Sequence, residues 1–149
     1  MRLLLVCNPG GHFSTMMGLK EFWSAHYREW VTYSKFDTER LRRKEIVHWV
    51  VMQEARMVGR AIINFFHALF ILYQSKPDLV ISTGASLAVP FIYASKLVGI
   101  RTIFIESISR SRALSLSGKL VYYVVDEFYV QWPECLEFYP KAKYRGVVA

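Results

Sequence analysis

The sequence predicts an α/β domain with a Rossmann-like parallel sheet and helices on both of its faces. Two observations lead to this prediction. Short apolar runs alternate with longer segments of helical periodicity along the whole chain, and 149 residues are the size of about one domain. Because strands that alternate with helices are joined by right-handed crossovers, we expect the strands to be parallel. We therefore treat residues 1–149 as a single domain.

Local patterns place each element along this alternation. Apolar runs predict strands at 3–7, 30–33, 46–52, 79–82, 102–105, 127–130 and 142–144. Apolar residues at helical spacing predict helices at 15–27, 57–75, 89–98, 114–124 and 133–138. Turn residues mark several ends: Asn8-Pro9-Gly10-Gly11 follows the first strand, Pro77 follows the longest helix, and Gly99 closes the next one. The charged stretch 37–44 is expected on the surface.

The composition is basic and apolar at the same time, which excludes a disordered chain and narrows the range of partners. The formal net charge is +7, while 53% of the residues are hydrophobic and 15% are aromatic. A nucleic-acid binder is normally basic and polar, whereas this pairing favours an anionic membrane surface or a large apolar contact with a partner protein. The two cysteines form neither a disulfide framework nor a zinc motif, so we expect no metal and no cofactor.

Neither of the two most apolar segments has the length of a targeting or membrane-spanning segment. The run at 3–7 is shorter than the apolar part of a secretion signal, which needs about 7–15 residues, so we expect a cytoplasmic protein. The helix at 57–75 has fewer uncharged residues than the ~20 that a spanning helix needs. We expect it to pack on the sheet with one face, or in addition to present its other face to a membrane interface. The membrane contacts would then be Arg60, Phe65, Phe66 and Phe70.

Three loops at the carboxyl ends of predicted strands are candidates for a site, because function collects at that edge of a parallel sheet. The first carries Gly10-Gly11, which allows the backbone to approach a ligand, and then His12, placed as a general base or a phosphate-facing donor. The second carries Thr83-Gly84, small residues of the kind that anion- and sugar-binding loops use. A tight turn in the first loop and close strand–helix packing in the second stay open as alternatives.

The third loop combines a carboxylate, hydroxyl groups and two arginines. Glu106 stands at the strand end and is followed by Ser107, Arg110 and Arg112. Such a set can hold sugar hydroxyls and a diphosphate together, although a solvated loop with free charges is the alternative. After the sixth strand, Gln131-Trp132 precedes a short helix, where these residues serve either packing or a subunit contact.

Several of these segments occur together in one order. They are Gly10-Gly11-His12, Pro77-Asp78-Leu79-Val80 with Thr83-Gly84, Phe104-Ile105-Glu106-Ser107 with Arg110, Leu114-Ser115-Leu116-Ser117-Gly118-Lys119, and Val130-Gln131-Trp132-Pro133. In this order they resemble the family of asparagine-linked glycosylation protein 14 and its bacterial relatives of the PssD type. The run from Ile105 to Trp132 is the specific part, since a glycine pair alone matches many glycosyltransferases.

The resemblance implies one half of a split enzyme. Members of this family are similar to the N-terminal, acceptor-binding domain of GT-B glycosyltransferases, and a separate PssE-type subunit binds the UDP-sugar donor. The pair transfers a sugar to a polyprenyl-diphospho-sugar acceptor at the cytoplasmic face of the plasma membrane, to which this subunit attaches peripherally. Because eukaryotic members carry an N-terminal membrane helix and this sequence opens with a strand, the resemblance favours a bacterial protein of exopolysaccharide or lipid-linked oligosaccharide synthesis.

The resemblance also implies a role for each candidate residue. His12 and Glu106 are the expected catalytic pair, with His12 as general base on the acceptor hydroxyl and Glu106 on the acceptor or the base. The expected acceptor and diphosphate contacts are Gly10, Gly11, Thr83, Gly84, Ser107 and Arg110. The expected partner contacts are Gln131 and Trp132.

Two other hypotheses come from different functional classes. In the first, every catalytic group lies on the partner and this chain is a scaffold that recruits the partner to the membrane, so His12 and Glu106 are structural. In the second, suggested by a pI near 9.5, the chain binds nucleic acid. The sequence contains no RNP, KH or helix-turn-helix signature, so we expect no nucleic-acid partner.

Overall fold

The computed structural model describes residues 1–54 and 56–148, which contain one seven-stranded sheet. The strands are β1 (Arg2–Cys7), β2 (Tyr27–Thr32), β3 (Val47–Trp49), β4 (Leu79–Gly84), β5 (Arg101–Ile105), β6 (Glu127–Val130) and β7 (Lys143–Tyr144). The helices are α1 (Gly11–Met17), α2 (Lys20–Trp23), α3 (Val58–Ser75), α4 (Ala88–Val98) and α5 (Leu116–Val121), and 3-10 helices span Thr38–Arg43 and Pro133–Glu137. The predicted fold class is confirmed, because the strand order is β3-β2-β1-β4-β5-β6-β7 and every neighbouring pair is parallel.

The predicted helix at 15–27 is wrong at both ends. α1 begins earlier, because Gly10 takes a φ of 92° that turns the chain directly out of β1 and into the helix. The helix is interrupted at Gly18, a poor helix former, and α2 adds only a short turn beyond it. Tyr27 belongs to β2, which begins earlier than the predicted strand at 30–33.

The other predicted elements exist, with shifted ends. The third strand is shorter than the predicted 46–52, and α5 is shorter than the predicted 114–124. α5 begins late because the Ser115 side chain caps it by accepting the N–H of Gly118 at 3.0 Å. Gly99 closes α4 in the left-handed region, with a φ of 78°, as predicted.

The sheet buries an apolar layer on each face. On one face α1 and α2 cover β1, β2 and β4, and Trp30 packs edge-on against Trp23. On the other face α3 and α4 contribute Ile71 and Phe91 to a second layer. A third cluster joins α4 and α5 to the far strands around Phe128. Helices therefore pack on both faces of the sheet and hold the strands in place, including the loops that follow the carboxyl ends of the strands.

The strand order reverses direction between β1 and β4, and this position creates a crevice. One crossover leaves β1 towards β2, and the chain later returns to place β4 on the other side of β1. In doubly wound sheets, ligands bind outside the carboxyl ends of the strands at such a reversal. Cys7 lies beside Gly84 in the register, so the loops after these two strands start side by side.

Candidate functional site

A cavity of about 390 Å³ lies at this crevice, and we call it the cup. Its walls come from residues that follow five different strands. They are Asn8, Pro9 and His12 after β1, Tyr33 after β2, Glu54 after β3, Ala85 and Ser86 after β4, and Ser107, Ser109, Arg110, Ser115, Leu116 and Ser117 after β5. The three loops that the sequence singles out therefore meet at one place.

His12 lies on the wall of the cup in a fixed orientation. Its Nδ1 atom is 2.9 Å from the carbonyl oxygen of Thr83, and the Thr83 hydroxyl donates back to the His12 carbonyl at 2.6 Å. Because a carbonyl oxygen only accepts, this contact places the proton on Nδ1. The other ring nitrogen, Nε2, has no hydrogen-bond partner among residues 1–54 and 56–148, so its lone pair is free to accept a proton from a ligand.

The glycine and threonine residues predicted to contact the acceptor are not among the residues that line the cup, and their role stays a prediction. The Gly10 N–H donates to the Asp37 carboxylate at 2.7 Å, so this donor is already used, and Gly11 is exposed outside the cup. Thr83 and Gly84 are buried behind His12. A Cβ atom at Gly84 would lie 2.8 Å from Nδ1 of the imidazole, so glycine is required for the ring to reach its carbonyl partner.

Asn8 joins the loops behind the cup, and the sequence analysis did not assign it a role. Its Oδ1 atom accepts the N–H groups of Ala85 at 3.1 Å and Leu87 at 3.0 Å. Its Nδ2 atom donates to the Gln53 carbonyl at 3.1 Å and to the Ser86 hydroxyl at 3.2 Å. One buried amide therefore fixes the loop after β4 and the segment before α3 to the end of β1. A polar residue directly after a buried strand was the available signal.

Glu106 is buried and faces its own loop. Its carboxylate accepts the N–H of Ser107 at 2.9 Å, the N–H of Ser115 at 2.9 Å and the Ser115 hydroxyl, also at 2.9 Å. A Cβ atom at Gly118 would collide with this carboxylate. The side chain is only 2% exposed, so the geometry supports a positioning role for Glu106, which clamps the loop after β5 to the start of α5. From the sequence we expect Glu106 to act on the acceptor or on the base, and that role stays a prediction.

Arg110 and two serine hydroxyls form the polar wall of the cup. The hydroxyl oxygens of Ser107 and Ser109 are 2.9 Å apart, and the exposed Arg110 guanidinium makes no ion pair with residues in the described ranges. The loop that carries them is braced from the segment after β6, where Trp132 Nε1 donates to the Ile108 carbonyl at 2.5 Å. The cup can therefore offer the Arg110 cation, the Ser107 and Ser109 hydroxyls and one basic nitrogen to a ligand, and its lining also includes the Glu54 carboxylate. Sequence reasoning predicted Ser107 and Arg110 but missed Ser109 and Ser115.

Comparison with known proteins gives this arrangement a family. The sequence matches the family described as "Oligosaccharide biosynthesis protein Alg14 like" over residues 3–148. The chain belongs to this family. It is 28% identical to the UDP-N-acetylglucosamine transferase subunit ALG14 of Yarrowia lipolytica, over 99% of this chain and 81% of the relative. The subunit of the same name from Mus musculus is 27% identical, over 98% of this chain and 82% of the relative.

Solved structures share the fold of this Alg14-family chain. MurG of Acinetobacter baumannii superposes with a TM-score of 0.75 and 16% identity, over 90% of this chain and 43% of MurG. A UDP-N-acetylglucosamine 2-epimerase from Rickettsia bellii superposes with a TM-score of 0.78 and 11% identity, over 98% of this chain and 44% of the epimerase. The chain thus spans less than half the length of these structures. Both sequence relatives are eukaryotic, and they give the expected bacterial origin no support.

The Gln131 side chain is buried and makes hydrogen bonds inside the chain, and its role as a partner contact stays a prediction. Its Nε2 atom donates to the Glu106 carbonyl at 3.0 Å, and its Oε1 atom accepts the Val148 N–H at 2.7 Å. It lines a second cavity of about 380 Å³ on the sheet face beyond α1 and α2. The neighbouring Trp132 is 38% exposed, so its ring combines the brace on the Ile108 carbonyl with an accessible edge.

The predicted membrane-contact helix forms part of a wider apolar surface. On α3, Phe66 is 64% exposed and Phe70 is 56% exposed, while Phe65 is half-buried against the core and Arg60 is exposed. α4 and α5 lie beside α3 on the same side of the sheet and add further exposed apolar side chains. These are Tyr93, Leu97, Val98, Leu116, Leu120 and Tyr123. Within the described ranges, every helix is too short or too polar to cross a bilayer.

Proposed function

We propose that this chain is the acceptor-binding subunit of a two-subunit glycosyltransferase whose donor is UDP-N-acetylglucosamine. The observation that carries the proposal is the cup, in which Nε2 of His12, the Arg110 guanidinium and two serine hydroxyls converge, with no partner for Nε2 and no ion pair for Arg110 in the part of the chain that the structure describes. Membership of the Alg14-like family supports oligosaccharide synthesis, and the names of the relatives supply both the donor and the status of a subunit. The acceptor is a polyprenyl-diphospho-sugar.

In the proposed reaction His12 acts as the general base. The Nδ1–H bond to the Thr83 carbonyl holds the ring in the tautomer that leaves Nε2 unprotonated. Nε2 takes the proton from the acceptor hydroxyl as its oxygen attacks the anomeric carbon of the donor sugar, and the bond from that carbon to UDP breaks with inversion. The Thr83 carbonyl then stabilises the imidazolium through the same hydrogen bond.

The wall formed by the loop after β5 binds the acceptor head group. The Arg110 guanidinium pairs with the diphosphate, since a planar guanidinium forms paired hydrogen bonds to phosphate oxygens. Ser107 donates to the diphosphate or to a sugar hydroxyl. Glu106 positions both residues through its hydrogen bonds to Ser107 and Ser115, without touching the ligand.

A PssE-type partner supplies the UDP site. The relatives are named as subunits of a UDP-N-acetylglucosamine transferase, and this supports a second subunit as the source of that site. The exposed edge of Trp132 is the proposed partner contact, and it lies in the segment that braces the Arg110 loop. The apolar surface of α3, α4 and α5 attaches the pair peripherally to the cytoplasmic face of the membrane, with Arg60 facing anionic lipid.

The test is a transferase assay in membranes with UDP-N-acetylglucosamine and a polyprenyl-diphospho-sugar. The chain alone, the partner alone and the pair are compared. We expect product only from the pair. Full activity of the partner alone would overturn the assignment of the acceptor site to this chain.

The exposed apolar surface also favours a second candidate function, the recruitment scaffold. In that case the partner holds all catalytic groups and needs this chain only for membrane attachment. A partner tethered to the membrane by a fused lipid anchor separates the two functions. The scaffold hypothesis predicts that the tethered partner is active alone, whereas the acceptor-subunit proposal predicts that it stays inactive until this chain is added.

A further inference from the structure

The cup does not end at its polar wall, because it opens into an apolar groove. A cavity of about 430 Å³ adjoins it and shares four lining residues with it: Glu54, Ser86, Leu116 and Ser117. A further cavity of about 290 Å³ continues from this one and shares Val58, Ala61 and Val89 with it. We call the cavities of about 430 Å³ and about 290 Å³ together the groove. It runs between α3 on one side and α4 and α5 on the other.

The chemistry of the lining changes along this path. The cup holds Arg110 and its serine hydroxyls together with the Glu54 carboxylate. The inner part of the groove is lined by Met57 and aliphatic side chains, with the polar Gln53, Glu54 and Arg56 among them. The outer part is apolar throughout and is lined by Val58, Ala61, Ile62, Phe65, Val89, Pro90 and Tyr93. A ligand with an anionic head next to a hydrocarbon chain fits this change, because its head can pair with Arg110 while its hydrocarbon lies along the apolar walls.

The walls of the groove are fixed by hydrogen bonds. The Tyr93 hydroxyl donates to the Leu120 carbonyl at 2.7 Å and ties α4 to α5 along one wall. On the other wall, Gln53 Nε2 donates to the Ser86 carbonyl at 2.9 Å, and Asn64 of α3 donates to Gln53 Oε1 at 2.9 Å. The groove is therefore formed before any ligand arrives, which lowers the cost of binding a flexible chain.

We propose that the groove binds the first isoprene units of the acceptor, so that the protein holds the lipid chain next to the diphosphate. The proposal rests on the function proposed above for the identity of the head group. Beyond the groove, Ile62 and Phe65 lead to the exposed Phe66 and Phe70 of α3. The remaining isoprene units of the acceptor can therefore pass from the groove into the bilayer. The groove thereby selects lipid-linked over free sugar diphosphates.

Chain-length dependence in the absence of vesicles tests this proposal. Acceptors that share one sugar diphosphate and carry a methyl, geranyl or phytanyl chain are assayed with the complete two-subunit enzyme in detergent. We expect the KM to fall by about tenfold or more from methyl to geranyl, as apolar carbon enters the groove. A KM that does not change with the length of the acceptor's hydrocarbon would overturn the proposal while leaving the transferase function intact. Absence of product with every acceptor would overturn the transferase function itself.

Two groove variants and one matched control locate the effect. Ala61→Trp fills the groove and Leu120→Ser removes an apolar wall that the cup does not share, so both should raise the KM for the geranyl acceptor about tenfold and leave the KM for the methyl acceptor unchanged. Ile63→Trp changes α3 at a position that is 54% exposed and outside the groove lining, and should change neither value. An equal rise in KM for Ile63→Trp and Ala61→Trp, or an equal rise for the geranyl and methyl acceptors, would contradict the proposal.

A binding measurement gives a readout that needs no activity. Geranyl diphosphate with a diazirine on its hydrocarbon end is photolysed with the complex, and the labelled peptides are mapped. The proposal predicts label within 57–65, 86–93 and 116–120, and loss of that label in Ala61→Trp. If the label spreads evenly over the exposed apolar surface and Ala61→Trp does not change it, the hydrocarbon of the acceptor has no defined binding position on the protein.

Discussion

The two ends of the sheet each hold a buried glutamate, and the two carboxylates are held by different kinds of donor. Glu29 of β2 is 7% exposed and Glu106, after β5, is 2% exposed. At the amino end, Glu29 lies 2.6 Å from His48 Nε2 and 3.7 Å from the Arg2 guanidinium, and it accepts the Ser75 hydroxyl at 2.7 Å. At the carboxyl edge, Glu106 accepts backbone N–H groups and one hydroxyl of its own loop.

The difference lies in what each arrangement leaves free. Around Glu29 the carboxylate is in contact with the His48 imidazole, the Arg2 guanidinium and the Ser75 hydroxyl, so within the described ranges these groups satisfy one another. Around Glu106 the carboxylate is consumed by the loop it shapes, and Arg110 and Nε2 of His12 keep their capacity for a ligand. A ligand site is thus recognised by polar groups that the fold holds in place while part of their hydrogen-bonding capacity stays available. In a structural cluster the polar groups serve as one another's hydrogen-bond partners.

The largest expected effect comes from exchanging the two histidines for alanine. His12→Ala should lower kcat about a hundredfold to ten-thousandfold, because the general base is lost, with little change in stability. His48→Ala should leave kcat unchanged and lower the free energy of unfolding by about 1–3 kcal/mol, because the buried Glu29 carboxylate loses the hydrogen bond to the imidazole. Transferase kinetics and urea unfolding of both variants give the two values. Normal kcat in His12→Ala would remove this residue from the mechanism.

A second prediction contrasts the glycine that lies against Glu106 with a glycine of α3 that has open space around it. Gly118→Ala places a methyl group against the Glu106 carboxylate and should destabilise the protein by about 1–3 kcal/mol while raising the KM for the acceptor. Gly59→Ala, in α3, meets nothing within 4 Å and should be neutral or stabilise by up to about 1 kcal/mol. Thermal unfolding and acceptor titrations distinguish them. Equal stability of the two variants would show that the Glu106 clamp is not rigid.

The sequence predicted the loops of the site because their signals are local. Strand alternation and turn residues placed the candidate loops at one edge of a parallel sheet, and the cup does join them. Ser107, Arg110 and His12 were found because each follows a strand end. The helix at 15–27 failed for a local reason too, since the pattern of its apolar face gives no weight to Gly18.

The contacts that shape the cup could not be predicted, because they join residues far apart in the chain. Asn8 binds Ala85 and Leu87, and Gln131 binds Glu106 and the C-terminal segment. Only the folded topology brings these pairs together. For the same reason the apolar surface was expected on α3 alone, since a single helix does not reveal which helices become its neighbours.

The arginines of the loop after β5 give a third prediction. Arg110 lines the cup and Arg112 does not, although both are exposed and lie two positions apart. Arg110→Ala should raise the KM for the diphosphate acceptor by about tenfold to a hundredfold, because a charged hydrogen bond is lost, and Arg112→Ala should change it little. Acceptor titrations at fixed donor concentration provide the comparison. A similar rise in both would mean that the loop acts through its net charge and not through a contact.

The smallest effect is a pH dependence of stability that comes from Glu29 at the amino end of the sheet. Burial by itself would raise the pKa of Glu29, but the hydrogen bonds from His48, Tyr27 and Ser75 outweigh it and hold that pKa below its usual value of 4.5. A carboxyl whose pKa is lower in the folded than in the unfolded state stabilises the fold above the unfolded value. This stabilisation is lost as the pH falls below 4.5 and through the lower folded pKa.

Glu29→Gln removes this titration and tests the assignment. At neutral pH the variant should be less stable than the wild type by about 1–2 kcal/mol, and the two should converge as the pH falls, because the wild-type carboxyl becomes protonated. Glu21→Gln, on exposed α2, should run parallel to the wild type throughout. Urea unfolding across this pH range measures all three. If the difference in the free energy of unfolding between Glu29→Gln and the wild type stays constant with pH, the charge of Glu29 contributes nothing to stability. The contrast between the two glutamates would then depend on Glu106 alone.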